Sequence, residues 1–196
     1  MISELSQKNW SSSSEVFSLE FTRELVQECH RLSSAGAFTK AAIGRGTTKG
    51  IHTEIRGDYT YWIYENEASP LEKQFLSVLQ EVQDQLNREL YLGLQRVETH
   101  YALYPPQSGY QQHVDNPHGA GHRRITFVLY LNENWQEEHG GKLTLFNPEQ
   151  DSEVLIQIAP CVGTFVLFCS DVFPHQVETS YAPRMSLTGW FRNDAL

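Results

Sequence analysis

The chain has 196 residues, 40% hydrophobic and 20% charged, which is enough for one folded domain with an apolar core and argues against disorder. Its 24 acidic residues outnumber its 15 basic ones, and the net charge of −9 argues against binding to nucleic acid or to anionic membranes. Three scattered cysteines without a C-x-x-C pair favour a reducing compartment, so we expect a cytoplasmic protein. No apolar run approaches the roughly 20 residues of a membrane helix, and the N-terminus does not look like a secretory signal.

The first third of the chain predicts one helix between two less regular stretches. Residues 1–17 begin polar, and we expect a flexible lead-in with one short strand at most. A helix should begin after a cap at Ser18 and run to about residue 34, since apolar side chains recur there at helical spacing. The stretch 35–54 is rich in Gly and Thr without a period, and segments of this length are usually functional or mobile.

A strand and the strongest helix signal of the chain come next. Residues 55–64 are rich in aromatic and β-branched types and predict a strand. The following segment has Ser69 at the N-cap, Pro70 at the first helical position and Glu72 in place for a capping box. One apolar stripe runs through residues 71–90, so we expect a helix over 70–91 that supports a sheet from behind.

After Gly93 the pattern changes to short strands. Eight strand-like runs are separated by Pro, Gly, Asn and Asp, which are turn signals. Helices followed by such strands predict an α+β fold in which helices pack outside a β-sandwich or jelly roll. We therefore expect a single domain over 1–196, with a lead-in at 1–17, a helical support and entrance loop at 18–92, and a β core at 93–196.

Three side chains form a candidate metal site. His113 and Asp115 are two residues apart in a predicted strand, so both side chains should leave the same face. A later strand supplies His175. Two histidines and one carboxylate on one face of an octahedral metal leave about three positions open, as in non-haem Fe(II) oxygenases.

An arginine follows at a fixed offset from the second histidine. Arg184 lies nine residues after His175, inside the predicted strand RMSLTGW. A guanidinium that points into a β-barrel is costly to bury unless it meets an anion, and its rigid fork suits a carboxylate. Thr188, four residues further on, should share that face.

These motifs resemble the 2-oxoglutarate- and Fe(II)-dependent prolyl 4-hydroxylases over about residues 55–192. The similarity is strongest to the branch of the hypoxia-inducible-factor prolyl hydroxylases and their bacterial relatives. The motifs that carry it are IRGD with Trp62, YPP after Leu103, Y-x-x-HVDNP at 110–117, YLN at 130–132, Trp135, the Gly140–Gly141 pair, PHQV at 174–177 and R-x-S-L-T-G-W at 184–190. The resemblance implies a double-stranded β-helix that uses iron, 2-oxoglutarate and O₂, with ascorbate as a candidate reductant.

The resemblance also implies roles for individual residues. His113, Asp115 and His175 match the iron ligands, and Arg184 matches the arginine that pairs with the distal carboxylate of 2-oxoglutarate. Further co-substrate residues are Tyr130, Tyr104 and Thr188. The residues assigned to the substrate and its entrance are Arg56, Asp58, Tyr110, Arg123 and Trp190, with Asp58 and Arg123 as a suggested ion pair. The remaining histidines are expected to be ordinary surface or core residues: His30, His52, His100, His118, His122 and His139.

The implied activity is hydroxylation of a prolyl residue in an exposed loop of another protein, giving 4-hydroxyproline, succinate and CO₂. A glycine-containing loop at 44–58 is expected to fold over that substrate. Elongation factor Tu is a candidate substrate because bacterial relatives are associated with it. Two alternatives stay open at this point: hydroxylation of free proline or another small molecule, and a non-catalytic metal-binding or oxygen-sensing module.

Overall fold

The computed structural model describes residues 1–41, 55–117 and 121–195. These residues contain three α-helices, which are α1 (Ile2–Lys8), α2 (Leu19–Ser34) and α3 (Pro70–Leu90). They contain eleven strands, of which three precede the β core: β1 (Trp10–Ser13), β2 (Thr39–Lys40) and β3 (Tyr59–Ile63). The core strands are β4 (Arg96–Tyr104), β5 (Ser108–His113), β6 (Arg123–Tyr130), β7 (Leu143–Asn147), β8 (Gln150–Ile158), β9 (Phe165–Cys169), β10 (His175–Ser180) and β11 (Arg184–Arg192).

The strands form two antiparallel sheets. The major sheet has the order β1-β9-β6-β11-β4-β3-β2, and the minor sheet has the order β5-β10-β7-β8. Each sheet takes four of the eight core strands, and the chain alternates between the sheets except that β7 and β8 are both in the minor sheet. This is the double-stranded β-helix that the sequence implies. The eight strand-like runs after Gly93 are therefore confirmed as strands.

The major sheet buries both of its faces. On its outer face, Tyr101, Phe127 and Leu187 are fully buried in one apolar cluster with residues of all three helices. On its inner face, Val128, Tyr130 and Val166 pack against the minor sheet. Since successive residues of a strand point to opposite faces, the even-numbered residues of β4, β6 and β11 face the space between the sheets.

Helices α2 and α3 begin where the sequence predicts. The Ser18 hydroxyl accepts a hydrogen bond from the amide of Phe21 at 3.2 Å and caps α2. At the start of α3, the Ser69 hydroxyl accepts from the Glu72 amide at 3.2 Å and the Glu72 carboxylate accepts from the Ser69 amide at 2.8 Å, which completes the capping box. Phe75, Leu79 and Leu86 of α3 are fully buried, so this helix supports the sheet as expected.

In the lead-in over 1–17 the expected short strand forms, but the expected flexibility is wrong. Residues 2–8 form α1, whose Ile2 and Leu5 are buried in the helix-side cluster. Strand β1 then pairs antiparallel with β9, from Trp10 opposite Phe168 to Ser13 opposite Phe165. The serine run forms a strand because main-chain hydrogen bonds to a neighbouring strand do not require apolar side chains, and that neighbour is more than 150 residues away in sequence.

One expectation falls partly outside the described residues. Most of the predicted entrance loop lies there, including Gly44, Gly46 and Gly50, so its folding over a substrate stays a prediction. The predicted strand at 55–64 forms over Tyr59–Ile63. None of the helices in the described ranges combines the length and apolarity needed to cross a bilayer.

Candidate active site

Neighbouring strands bring the two candidate metal histidines together. His113 ends β5 and His175 begins β10, and the two residues are direct partners in the pairing of these strands. Their ring centroids are 4.3 Å apart. Asp115 lies just beyond the end of β5, in a bend and not in the strand as predicted. Its Oδ1 is 3.7 Å from Nε2 of His113, and its Oδ2 is 3.7 Å from Nε2 of His175.

The hydrogen bonds of the two imidazoles determine which nitrogen can bind a metal. Nδ1 of His113 is 2.8 Å from the carbonyl of Gln111, and Nδ1 of His175 is 3.0 Å from the carbonyl of Phe173. A carbonyl can only accept, so each Nδ1 carries the proton and donates. In the neutral form of each ring, Nε2 then carries the lone pair on the side of Asp115, which is the tautomer that a metal-binding histidine needs.

Asp115 is held by two side-chain donors. The Thr126 hydroxyl and the Trp190 indole N–H each donate to Oδ2 at 2.8 Å. Burial by itself would raise the pKa of Asp115, but the imidazoles of His175 and His113 and these two hydrogen bonds lower it below its usual value. Burial also lowers the pKa of His113, with the neighbouring His175 acting in the same direction. Two imidazoles and one carboxylate form a donor set suited to a divalent iron.

Trp190, which the sequence assigns to substrate binding, lines the cavity, and that role stays a prediction. Its indole N–H donates to the Asp115 carboxylate, a contact that the sequence does not predict. Thr126, to which the sequence pattern assigns no role, is the partner of Trp190 in the pairing of β6 with β11. Its hydroxyl donates to the same oxygen, Oδ2 of Asp115. The Ser170 hydroxyl lies 2.8 Å from that of Thr126 and extends this hydrogen-bonded chain.

A second polar group lies deeper between the sheets. Arg184 is only 3% exposed, and its Nε donates to the carbonyl of Gly141 at 2.8 Å. Its guanidinium carbon lies 5.1 Å from the ring centroids of both Tyr104 and Tyr130. Gly141 has φ +70°, and a Cβ there would lie 3.0 Å from Cδ of Arg184, so glycine permits this close approach.

The Tyr130 hydroxyl provides a test of whether a ligand fits beside Arg184. It is buried, and apart from the adjacent Arg184 guanidinium, which can only donate, it has no hydrogen-bond partner among the described residues. Burial raises the pKa of Tyr130 to about 12, although the charge of Arg184 acts against this, so the hydroxyl keeps its proton and can donate. A free hydroxyl donor beside a buried guanidinium is a fitting partner for the carboxylate of a 2-oxo dicarboxylic acid.

The cavity joins the two polar groups. It has a volume of about 630 Å³, including a mouth that is open to solvent, and both Arg184 and the three metal-site side chains line it. Between the two ends, the small side chains of Ala102 and Ser186 are partners across β4 and β11 and leave space above the sheet. Thr188 also lines the cavity, on the same strand face as Arg184, and its hydroxyl donates to the carbonyl of Phe127 at 2.9 Å.

The residues assigned to the entrance form a connected chain of contacts. Arg56 binds the buried carboxylate of Asp58 through Nε at 2.6 Å and Nη2 at 2.9 Å. Its guanidinium carbon lies 4.9 Å from the ring centroid of Tyr110. Tyr110 in turn stacks on His113, with centroids 3.7 Å apart. These contacts connect the Arg56–Asp58 pair, through Tyr110, to the imidazole of His113.

The suggested ion pair between Asp58 and Arg123 is wrong. Asp58 pairs with Arg56, two residues away on the same segment. Arg123 donates to Glu98 at 2.8 Å, and its guanidinium carbon lies 3.4 Å from the ring centroid of Trp190. Strand register explains this, because Glu98 on β4 pairs with Trp190 on β11, which brings the carboxylate beside the indole that Arg123 covers.

Comparison with known proteins places this arrangement in a family. The sequence model of the 2OG-Fe(II) oxygenase superfamily matches residues 99–192. Prolyl hydroxylase EGLN3 of Homo sapiens is 35% identical over 188 residues, covering 87% of this chain and 75% of that protein. Among solved structures, a Pseudomonas putida prolyl-4-hydroxylase is 32% identical with a TM-score of 0.86, covering 98% of this chain and 97% of the other.

A second structure points the same way. A prolyl hydroxylase from Trichoplax adhaerens, in complex with a hypoxia-inducible-factor peptide fragment, is 28% identical with a TM-score of 0.87, covering 98% of this chain and 87% of the other. The sequence motifs, the double-stranded β-helix and the convergent His–Asp–His cluster agree with these matches. The chain therefore belongs to the Fe(II)- and 2-oxoglutarate-dependent oxygenases, in the prolyl hydroxylase family, whose chemistry requires Fe(II), 2-oxoglutarate and O₂.

Proposed function

We propose that this enzyme hydroxylates a prolyl residue in a protein, with 2-oxoglutarate and O₂ consumed and succinate and CO₂ released. The observation that carries the proposal is the cavity that joins a His–Asp–His cluster to a buried arginine with a free tyrosine hydroxyl beside it. The similar proteins named above are prolyl hydroxylases, and one of them is complexed with a peptide from a protein substrate.

In this proposal His113, Asp115 and His175 hold the iron. Nε2 of each histidine and Oδ1 of Asp115 would be the ligand atoms, since Nδ1 of each ring and Oδ2 of Asp115 are engaged in hydrogen bonds. Three protein ligands leave about three positions of an octahedral ion for the co-substrate and O₂. Bound iron supplies the oxidising chemistry, while the protein fixes the ligands and restricts access of water.

The other end of the cavity orients the co-substrate. Arg184 would pair with the distal carboxylate of 2-oxoglutarate, and the Tyr130 hydroxyl would donate to the same group. Tyr104 packs on the other side of the guanidinium and limits its movement. Anchoring this end fixes the direction in which the oxo-acid end approaches the metal, which is a positioning effect.

The substrate would enter past Arg56, Asp58 and Tyr110. The Arg56–Asp58 pair is mostly buried, and Tyr110 links it to His113, so a prolyl ring held there would lie close to the iron. The ring of Tyr110 and the side chain of Val177, its partner on β10, both line the cavity and offer apolar contacts to a pyrrolidine ring. The protein substrate that we propose to test first is elongation factor Tu.

The test measures succinate release from 2-oxoglutarate with Fe(II), together with mass spectrometry of the candidate protein. We expect a prolyl residue to gain one oxygen atom with the wild-type enzyme and not with His113→Ala. Free proline in place of the protein tests the small-molecule alternative. If succinate release is no greater than with His113→Ala for every substrate tried, the proposal fails. The buried Arg184 and Tyr130 side chains argue against a non-catalytic metal-binding module, because such a module does not need groups that suit a dicarboxylate.

A further inference from the structure

His100 is a buried polar side chain to which the site description above assigns no role. It is fully buried, yet it forms part of the cavity wall. Neither Nδ1 nor Nε2 has a hydrogen-bond partner among the described residues. Because a buried imidazole without partners loses its hydrogen bonds to water without replacement, its position calls for a partner that binds in the cavity.

The neighbours of the ring do not supply such a partner. Trp62 and Trp190 pack against it, with centroids 4.4 and 5.8 Å away, and the Trp190 N–H is already bonded to Asp115. Burial and the nearby charges of Arg56 and Arg123 hold the pKa of His100 well below its usual value, so the ring is neutral. A neutral imidazole has one N–H to donate and one nitrogen to accept.

Strand register locates His100 along the cavity floor. The inward-facing pairs of β11 and β4 follow in order: Arg184 with Tyr104, Ser186 with Ala102, Thr188 with His100, and Trp190 with Glu98. The first pair holds one end of the co-substrate, and Trp190 in the last pair holds Asp115. His100 is therefore next to the row whose Trp190 donates to the metal ligand Asp115, and two rows away from Arg184.

A molecule that reaches from Arg184 to the metal crosses the small Ser186–Ala102 pair and ends over the Thr188–His100 pair. The end that arrives there is the oxo-acid end of 2-oxoglutarate, which carries a second carboxylate. We propose that His100 donates a hydrogen bond to this metal-chelating end and so helps to determine the affinity of the enzyme for 2-oxo acids. The inference concerns the co-substrate and does not depend on which prolyl residue is hydroxylated.

The test uses His100→Met and His100→Gln in the full-length protein. Methionine fills the space without a donor, whereas the glutamine amide keeps an N–H of similar reach. The affinity for 2-oxoglutarate is measured by titration of the Fe(II)-loaded protein without oxygen. We expect His100→Met to weaken binding about ten- to hundredfold, as for loss of a hydrogen bond to a charged group, and His100→Gln to stay within about fivefold of wild type.

Two further measurements separate this role from a structural one. Fe(II) affinity without 2-oxoglutarate should be unchanged in both variants, and the charge-transfer absorption band of the iron–oxo-acid complex should shift in His100→Met but much less in His100→Gln. The inference is overturned if His100→Met binds 2-oxoglutarate within twofold of wild type. It is also overturned if iron affinity falls by the same factor, since His100 would then act only by supporting Trp190.

Discussion

The two ends of the cavity differ in how fully the protein satisfies its own polar groups. At the metal end, each imidazole bonds a main-chain carbonyl, and Oδ2 of Asp115 accepts two hydrogen bonds. At the other end, the proton of the buried Tyr130 hydroxyl has no acceptor in the described part of the chain. The three metal ligands are thus held by the protein alone, while the Tyr130 hydroxyl needs a ligand to complete its hydrogen bonds. Substitutions at the first should change metal affinity, and those at the second should change ligand affinity.

The largest effect is expected at Asp115. Asp115→Asn keeps the shape and one oxygen that can accept from Trp190 and Thr126, but it replaces the metal-facing anion with a neutral amide. We expect Fe(II) affinity to fall by more than about a hundredfold, because loss of a ligand exceeds the effect of losing an outer partner. Equilibrium dialysis measures this, with the exposed Asp151→Asn as the matched control. Retained iron binding in Asp115→Asn would remove this residue from the metal site.

Arg184→Lys should give the next largest effect, and it should act on the other end. Lysine keeps the charge but loses the planar fork that binds a carboxylate through two parallel hydrogen bonds. We expect affinity for 2-oxoglutarate to fall about thirtyfold or more while Fe(II) affinity stays the same. Calorimetric titration with each ligand tests both statements, and the exposed Arg31→Lys is the control. An equal loss of iron binding would show that the two ends are not independent.

The two donors to Asp115 offer a finer test of the metal end. Trp190→Phe removes the indole N–H, and Thr126→Val removes the hydroxyl at nearly constant volume. Each should lower Fe(II) affinity about tenfold, the range typical of groups that orient a ligand. The double variant should show a non-additive loss, because both donors serve the same oxygen. Trp62→Phe is the control, since that indole belongs to the same aromatic stack and has no hydrogen bond to Asp115 in the described ranges. If Trp190→Phe and Thr126→Val bind Fe(II) as tightly as this control, these two donors do not support the metal site.

The smallest expected effect comes from Tyr130→Phe. Only the hydroxyl is lost, and since its proton is buried without an acceptor among the described residues, its removal should leave the melting temperature equal or slightly higher. Affinity for 2-oxoglutarate should fall about fivefold, because one donor to the distal carboxylate is lost while the Arg184 guanidinium still pairs with it. Thermal unfolding with and without the ligand measures both effects, with the exposed Tyr64→Phe as the control. A lower melting temperature without ligand would mean that the hydroxyl already has a partner.

The features of this protein that the sequence predicts correctly depend on residues a few positions apart in the chain. The capping box at Ser69 and Glu72 depends on residues three apart, and it forms as predicted. Alternation along a strand puts Arg184 and Thr188 on one face, and the cavity contains both. In both cases the structure follows from the geometry of a single helix turn or a single strand, so the sequence pattern is sufficient to predict it.

Contacts between remote strands account for what the sequence does not predict. Asp58 could pair with either Arg56 or Arg123, and only the register of β4 with β11, which places Glu98 beside Trp190, decides it. His100 and Thr126 look like ordinary strand residues until their partners across the sheet are known. The order in the first thirteen residues likewise depends on α3 and β9, which are far along the chain.

The pairing of β1 with β9 has a consequence for the solubility of the protein. Strand β9 has the apolar sequence Phe-Val-Leu-Phe-Cys, and β6 covers only one of its sides. Without β1, the other side would present a row of free amides and carbonyls along an aggregation-prone segment. The short serine-rich strand therefore covers this edge and reduces self-association. Removal of the first thirteen residues should produce a protein that precipitates more readily, even though the metal-site residues are unchanged.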